Sequence, residues 1–471
     1  MNTQKIEKLV ENFRYENKVP GISLSLVQND EIVYQNGFGY RDLLNKKPVT
    51  PESIWPIASL TKSFTCIAAM QLYQEKKLDI YKPIKEYLPY FSVSDKKATE
   101  VINSDLFLKH SSGLGRTGHQ DKYREEIYNP LINRPQSERK TNLLSTRKKL
   151  VENLFTATQQ SEPGQFFSYC NEGYATVGHL IEVLSETKLE DYFQKNIFEN
   201  VGMKKTYTNF DSWRNSKNRT FLYSNQNNSP FYTGIDHGKF SVLELNKDYK
   251  TFLSTGGICS TAHDLSLYQI QTMNLFDSKL GLHSDYLNKI QSINMQFGNS
   301  GWGYGYGYWV SYADDIKIIK HSGGLPGVST FSMMIPSEKT GVIVLANKNE
   351  VKVNNLAEEI LNEIRGILYR GSINDPLKFK IDKNFSEYNN LEEYLGEFEY
   401  RQGISEVIVE NNRLCINAPS RLEGVPEKLV IVPVAKDSFM NLFDGSSISF
   451  VRNKSGKVSH FLNGGYKYIK I

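Results

Sequence analysis

Two short alternating runs near the start constrain the fold more than any other feature of the chain. "GISLSLVQ" (21–28) and "EIVYQNGFGYRD" (31–42) read as paired strands around an Asn29-Asp30 turn. The next strong strand runs lie far along the chain. They are "WVSYADDIKIIKHSGG" (309–324), "VSTFSMMIP" (328–336) and "TGVIVLANK" (340–348), read as three consecutive antiparallel strands. Between the two groups the pattern is helical. After "EPGQFFSYCNEGY", for example, Tyr174, Val177, Leu180, Ile181 and Leu184 recur at helical spacing. Strands at both ends and helices between them predict an α+β domain whose sheet joins the two ends, with a helical region inserted.

The pattern changes after about residue 370. "GSINDPLKFKIDKNFSEYNN" is polar and reads as a linker. Beyond it come seven short strand runs, "GEFEY", "SEVIVE", "RLCINA", "KLVIVPV", "SISFVRN", "KVSHFLN" and "YKYIKI". Close spacing and turn residues between them predict a small all-β barrel or sandwich. The expected organisation is a domain over 1–370, a linker over 371–385 and a β domain over 386–471.

Composition removes several functions. A net charge of +4 over 471 residues gives no reason to expect nucleic-acid binding. Cys66, Cys170, Cys259 and Cys415 are far apart, without a Cys-x-x-Cys, and are expected as reduced thiols. The usual metal spacings are missing, so neither a metal nor a cofactor is expected. The opening "MNTQKIEKLVENFRYENKVPG" is a charged amphipathic helix rather than a secretory signal. No run approaches the roughly 18 apolar residues of a membrane span, so a cytoplasmic location is expected.

Ser-x-x-Lys occurs five times, at Ser59, Ser94, Ser137, Ser145 and Ser185. In a helix, positions i and i+3 share a face about 4.5 Å apart along the axis, so the amine can reach the hydroxyl. A serine in the first turn also lies among unpaired N–H groups, which can stabilise an oxyanion. Only Ser59 combines such a position with an apolar face behind it, formed by Leu60, Phe64, Ile67, Ala68 and Leu72. By itself the motif still fits a plain helix cap beside a solvated lysine. Tyr-x-Asn occurs seven times, and Tyr169–Asn171 stands out because Pro163-Gly164 forces a turn before it and a strong helix follows. His-x-Gly occurs once, at "HSGG" (321–324), where Gly323 and Gly324 allow close approach to the backbone.

Taken in order, Ser59–Lys62, Tyr169–Asn171 and His321–Gly323 resemble the serine β-lactamase and penicillin-binding-protein superfamily. The nearest branch looks like class C β-lactamases, D-aminopeptidases and related esterases. "HSSGL" (110–114), "NIFENVGMKKT" (196–206), "STGGICSTAHDL" (254–265) and "GWGYGYGYWV" (301–310) support it. The C-terminal part looks like the lipocalin-like barrel appended to some members.

This resemblance implies a β-lactamase-like antiparallel sheet flanked by helices, with a helical subdomain. It implies a serine hydrolase working through an acyl-enzyme on small amides or esters, such as D-amino-acid peptides, peptidoglycan-like fragments, esters or β-lactams. Two alternatives are a penicillin-recognising sensor that turns over poorly and a noncatalytic scaffold. Ser59 would attack, Lys62 would take its proton and Tyr169 would assist proton transfer. Asn171, His321, Gly323 and Gly324 would bind substrate, with the N–H groups of Ser59 and Gly324 as oxyanion hole. The expected partner is a small-molecule or peptide substrate.

Some features depart from the family pattern or stay open. His321 stands where many β-lactamases have lysine and should hold a substrate carboxylate less firmly. Cys170 stands where serine is common and is expected as the thiol near the cleft. Trp302, Tyr304, Tyr306 and Tyr308 alternate with glycines, so on one strand their rings would share a face. The segment 115–144 is a candidate lid. The barrel is expected to restrict substrate size, with ligand binding and homo-oligomerisation as its other open roles.

Overall fold

A computed structural model describes residues 1–115, 146–224, 232–235, 238–243, 251–298, 301–313, 315–365, 391–400, 403–418, 427–441 and 446–471. The expected linker (371–385) and, apart from Gly115, the candidate lid (115–144) lie outside these residues.

Nine strands build the main sheet. They are β1 (Gly21–Gln28), β2 (Glu31–Asp42), β3 (Lys47–Pro48), β4 (Met295–Gln296), β5 (Trp302–Tyr304), β6 (Trp309–Ala313), β7 (Ile316–Leu325), β8 (Val328–Ile335) and β9 (Thr340–Ala346). Their spatial order is β3-β2-β1-β9-β8-β7-β6-β5-β4. β1 pairs antiparallel with β9, Ile22 opposite Ala346, so the two distant strand groups do form one sheet. Asn29 and Asp30 take φ of 51° and 66°, the left-handed geometry that a two-residue hairpin turn requires.

Two strand expectations need correction. The run 309–324 is two strands, β6 and β7, because the chain reverses near Asp315, which has φ 68°. The four alternating aromatics do not lie on one strand. β5 ends at Tyr304, and the Gly305 N–H closes a turn on the Tyr308 carbonyl at 2.8 Å. Trp302 and Tyr304 therefore join one apolar cluster, while Tyr306 and Tyr308 join another.

The sheet is buried on both faces. On one side, Ile22, Leu24, Val342 and Val344 pack under two neighbouring helices, α1 (Thr3–Glu16) and α5 (Val353–Arg365). On the other side, Ile343 and Leu345 meet the large core around α2 (Thr61–Gln74), α3 (Asn171–Ser185) and α4 (Ala262–Met273). α2 is buried almost throughout its length, which fits its mixed apolar and small side chains. The expected stripe on α3 is real: Tyr174, Val177, Leu180 and Ile181 are fully buried. Among the described residues no helix is long and apolar enough to cross a membrane.

The C-terminal strands close into an eight-stranded barrel. They are β10 (Gly396–Tyr400), β11 (Gly403–Glu410), β12 (Arg413–Ala418), β13 (Glu427–Ala435), β14 (Ser438–Asn441), β15 (Ser447–Arg452), β16 (Val458–Asn463) and β17 (Tyr466–Lys470). β10 pairs with both β11 and β17, which removes the open edges. Phe398, Ile431, Phe439, Phe450 and Phe461 fill the interior. Outside, Val432, Val434 and Met440 pack on Phe167, Tyr169, Phe297, Trp302 and Tyr304 of the first domain.

Candidate active site

Ser59 lies in a single tight turn, Ala58–Leu60, that leads into α2, rather than within the helix itself. The i,i+3 relation survives: Lys62 Nζ lies 3.0 Å from Ser59 Oγ. Lys62 is completely buried and also donates to the Thr255 carbonyl at 2.8 Å. Its amine sits 4.9 Å from the centre of the Tyr169 ring and 5.5 Å from that of Tyr174. Ala58 takes φ 50°, a left-handed conformation unusual for alanine, immediately before Ser59.

Strand β7 holds that turn in place. A side chain at Gly323 would collide with Thr330 Oγ1, and its Cβ would come within 2.5 Å of the Ile57 carbonyl oxygen. Gly323 thus lets β7 lie directly on the turn bearing Ser59. The Thr330 hydroxyl reinforces the contact, 3.0 Å from the Ile57 carbonyl. Gly324 differs: it is exposed, with nothing within 4 Å of where a Cβ would stand.

His321 is 2% exposed. Burial pushes it down to about 3, so the ring is neutral near pH 7. Its Nδ1 lies 2.7 Å from the Ser322 carbonyl, which can only accept, so the proton is on Nδ1. Nε2 then accepts from the Tyr304 hydroxyl at 2.9 Å. Both ring nitrogens are occupied. Burial raises the Tyr304 phenol well above its ordinary range, which keeps it protonated as this donor.

Tyr169 and Asn171 come from the opposite wall. Tyr169 is 7% exposed, and its ring centre is 4.0 Å from that of His110 and 6.5 Å from that of His321. The loop carrying Tyr169 is laced to 110–111. Gly164 N–H donates to Ser111 O at 2.6 Å, Ser168 N–H to His110 O at 2.7 Å and Cys170 N–H to His110 Nδ1 at 3.0 Å. Asn171 opens α3, and its Oδ1 has no hydrogen-bond partner. Cys170 does not face the cleft. It is buried against Glu172, and burial, followed by that carboxylate, raises the thiol well above its usual range. All four cysteines are free.

The structure therefore brings Ser59, Lys62, Tyr169 and His321 around one point. Among the described residues no group of three or more His, Cys, Asp or Glu is arranged to hold a metal. The motifs in the sequence assigned no role to His110, Thr255 or Thr330, and none in the site to Tyr304. His110 lay in the noted "HSSGL" stretch and Tyr304 in the aromatic run; Thr330 carried no local signal.

The chain and its fold are similar to those of known proteins. A family model described as Beta-lactamase matches residues 6–363. Protein flp of Staphylococcus aureus (strain N315) is 25% identical over 368 residues, 77% of this chain and 66% of that protein, so the chain spans just under two-thirds of that relative's length. Penicillin-binding protein 4* of Bacillus subtilis (strain 168) is 23% identical over 491 residues, 95% of this chain and 98% of that one. The octameric penicillin-binding protein homologue from Pyrococcus abyssi shares the fold across 100% of both chains, with a TM-score of 0.66 at 24% identity.

Proposed function

Since the chain belongs to the β-lactamase family, we propose that it is a serine hydrolase acting through an acyl-enzyme on small amides or esters. The observation that carries this reading is the 3.0 Å contact between Ser59 Oγ and the enclosed amine of Lys62. Enclosure disfavours an ammonium ion, and a neutral amine at that distance can take the hydroxyl proton. Ser59 Oγ then attacks the carbonyl carbon. The oxygen that becomes negative is received by the N–H groups of Ser59 and Gly324. Tyr169 delivers a proton to the leaving group as the tetrahedral intermediate collapses, and later helps draw a proton from the attacking water. The Asn171 carbonyl oxygen, unpartnered in the free protein, accepts from an amide N–H on the acyl side.

His321 narrows the substrate class. A neutral ring with both nitrogens engaged offers no cation to a carboxylate on the leaving-group side. Neutral leaving groups, as in esters and in peptides or amides without a free carboxylate at that position, fit better than D-Ala-D-Ala termini. His321→Lys should then raise kcat/KM for a carboxylate-bearing substrate relative to its ester or amide.

A second reading is favoured by the end-to-end match to penicillin-binding protein 4*: the chain is acylated by penicillins and releases them slowly. Labelling with a fluorescent penicillin, followed over time, separates the two. Fast loss of label supports hydrolysis and persistence supports sensing. Ser59→Ala should abolish both labelling and hydrolysis of a chromogenic ester; retention of either refutes the assignment of Ser59. The octameric homologue supports a homo-oligomer, which sedimentation would test.

A further inference from the structure

We propose that the barrel turn between β16 and β17 is a positioning element of the catalytic site, with Gly465 and His460 holding the Tyr169 segment from outside. The idea rests on the role given to Tyr169 above. The segment from Pro163 to Cys170 has no helix or strand of its own. His110 and Ser111 bind its inner side, and the barrel covers its outer side.

Three contacts make that cover. At Gly465, φ 89°, an added Cβ would collide with the carbonyl oxygen of Tyr169 and come within 2.9 Å of its nitrogen. The barrel backbone thus rests on the peptide of Tyr169 itself. His460, 6% exposed, has its Nε2 2.8 Å from the Gln160 carbonyl, which can only accept, so the histidine donates. Gln160 Oε1 in turn accepts from Ser168 Oγ at 3.3 Å, one residue before Tyr169. Val432, Val434 and Met440 close the aromatic cluster that contains both Tyr169 and Tyr304. Displacement of a proton-transferring group by about 1 Å costs on the order of 10²-fold in rate. A turn resting on that group's backbone has this leverage without touching substrate.

The adjacent glycine supplies the control. Gly464 also has positive φ, 56°, but nothing lies within 4 Å of its Cβ position. An alanine strains the turn at either residue, yet only at 465 does it press on Tyr169. The test uses the full-length chain and two substrates with one acyl group, a p-nitrophenyl ester and a p-nitroanilide. The phenolate departs without a proton, whereas the anilide nitrogen must be protonated, so acylation by the anilide depends more on Tyr169. Gly465→Ala should slow acylation by the anilide about 10²-fold and by the ester about threefold or less. It should also speed amide hydrogen exchange at 166–171. Gly464→Ala should do neither.

Equal losses on both substrates, equal behaviour of the two alanine variants, or unchanged exchange at 166–171 would overturn the proposal. If Gly465→Ala does not fold, His460→Phe and His460→Gln decide. His460→Phe, which loses the donor, should reproduce the anilide-selective defect and the faster exchange, and His460→Gln should behave like the parent; identical behaviour of the pair refutes the idea. A parent chain that hydrolyses neither substrate would refute the proposed function instead, leaving exchange to decide the positioning role by itself.

Discussion

The two walls of the candidate site are held in different ways. Ser59 and Lys62 sit on a buried turn and helix, pinned by the close approach of β7 at Gly323, by the Thr330 hydroxyl of β8 and by the Thr255 carbonyl. Tyr169 sits on a segment without regular structure, held by one imidazole, a few carbonyls and the barrel surface. The first wall belongs to the large apolar core, while the second joins an irregular loop to the barrel surface. Such a difference should appear as unequal tolerance to change.

The largest effect should come from the rigid wall. Lys62→Met removes the base but keeps most of the side-chain volume, and kcat should fall at least about 10³-fold with the fold retained by circular dichroism. Activity within tenfold of the parent would break the comparison at its strongest point. Tyr169→Phe should lower kcat about 10²-fold with little change in KM, read with the anilide. Gly323→Ala should destabilise by about 2 kcal/mol in urea unfolding, since its Cβ meets the Ile57 carbonyl. Gly324→Ala, with open space, should stay within about 0.5 kcal/mol. Similar values for the two would mean that β7 does not clamp the nucleophile turn.

The pH dependence of stability tests the barrel contact. Burial and then the charge of Lys467 push His460 down to about 4 from 6.5. The unfolded chain therefore binds the extra proton first as pH falls. The stability that neutral His460 contributes is complete above about pH 6.5 and is lost on acidification toward pH 4. Between those limits the parent should lose more stability than His460→Gln, by on the order of 2 kcal/mol. Parallel pH profiles would show that His460 is not buried at this junction.

Local periodicity made much of the architecture legible in the sequence. Asn29-Asp30 marked its hairpin, the apolar stripe of α3 marked a helix, and the spacing of Ser59 and Lys62 implied a contact that the fold preserves. Local signal failed where long-range contacts decide. Nothing near Tyr304 indicates that it bonds His321, and nothing near Gly465 indicates that it rests on Tyr169. The reversal at Asp315 was hidden because the runs on both sides are strand-like. β14, only four residues long, fell below what alternation can reveal. The aromatic run misled because its glycines permit a turn as readily as a strand, and Gly307 adopts φ 74°.

The pairing of Ile22 with Ala346 makes the order of synthesis matter. The β1–β2 hairpin leaves the ribosome long before β9 exists, so the backbone groups of β1 that face β9 must wait. At 5–20 residues per second the delay is roughly 15–60 s. During that time an apolar strand edge is open to any other nascent chain. A newly made molecule therefore passes through a vulnerable interval whose length depends on translation speed, and slow translation should favour aggregation over correct assembly.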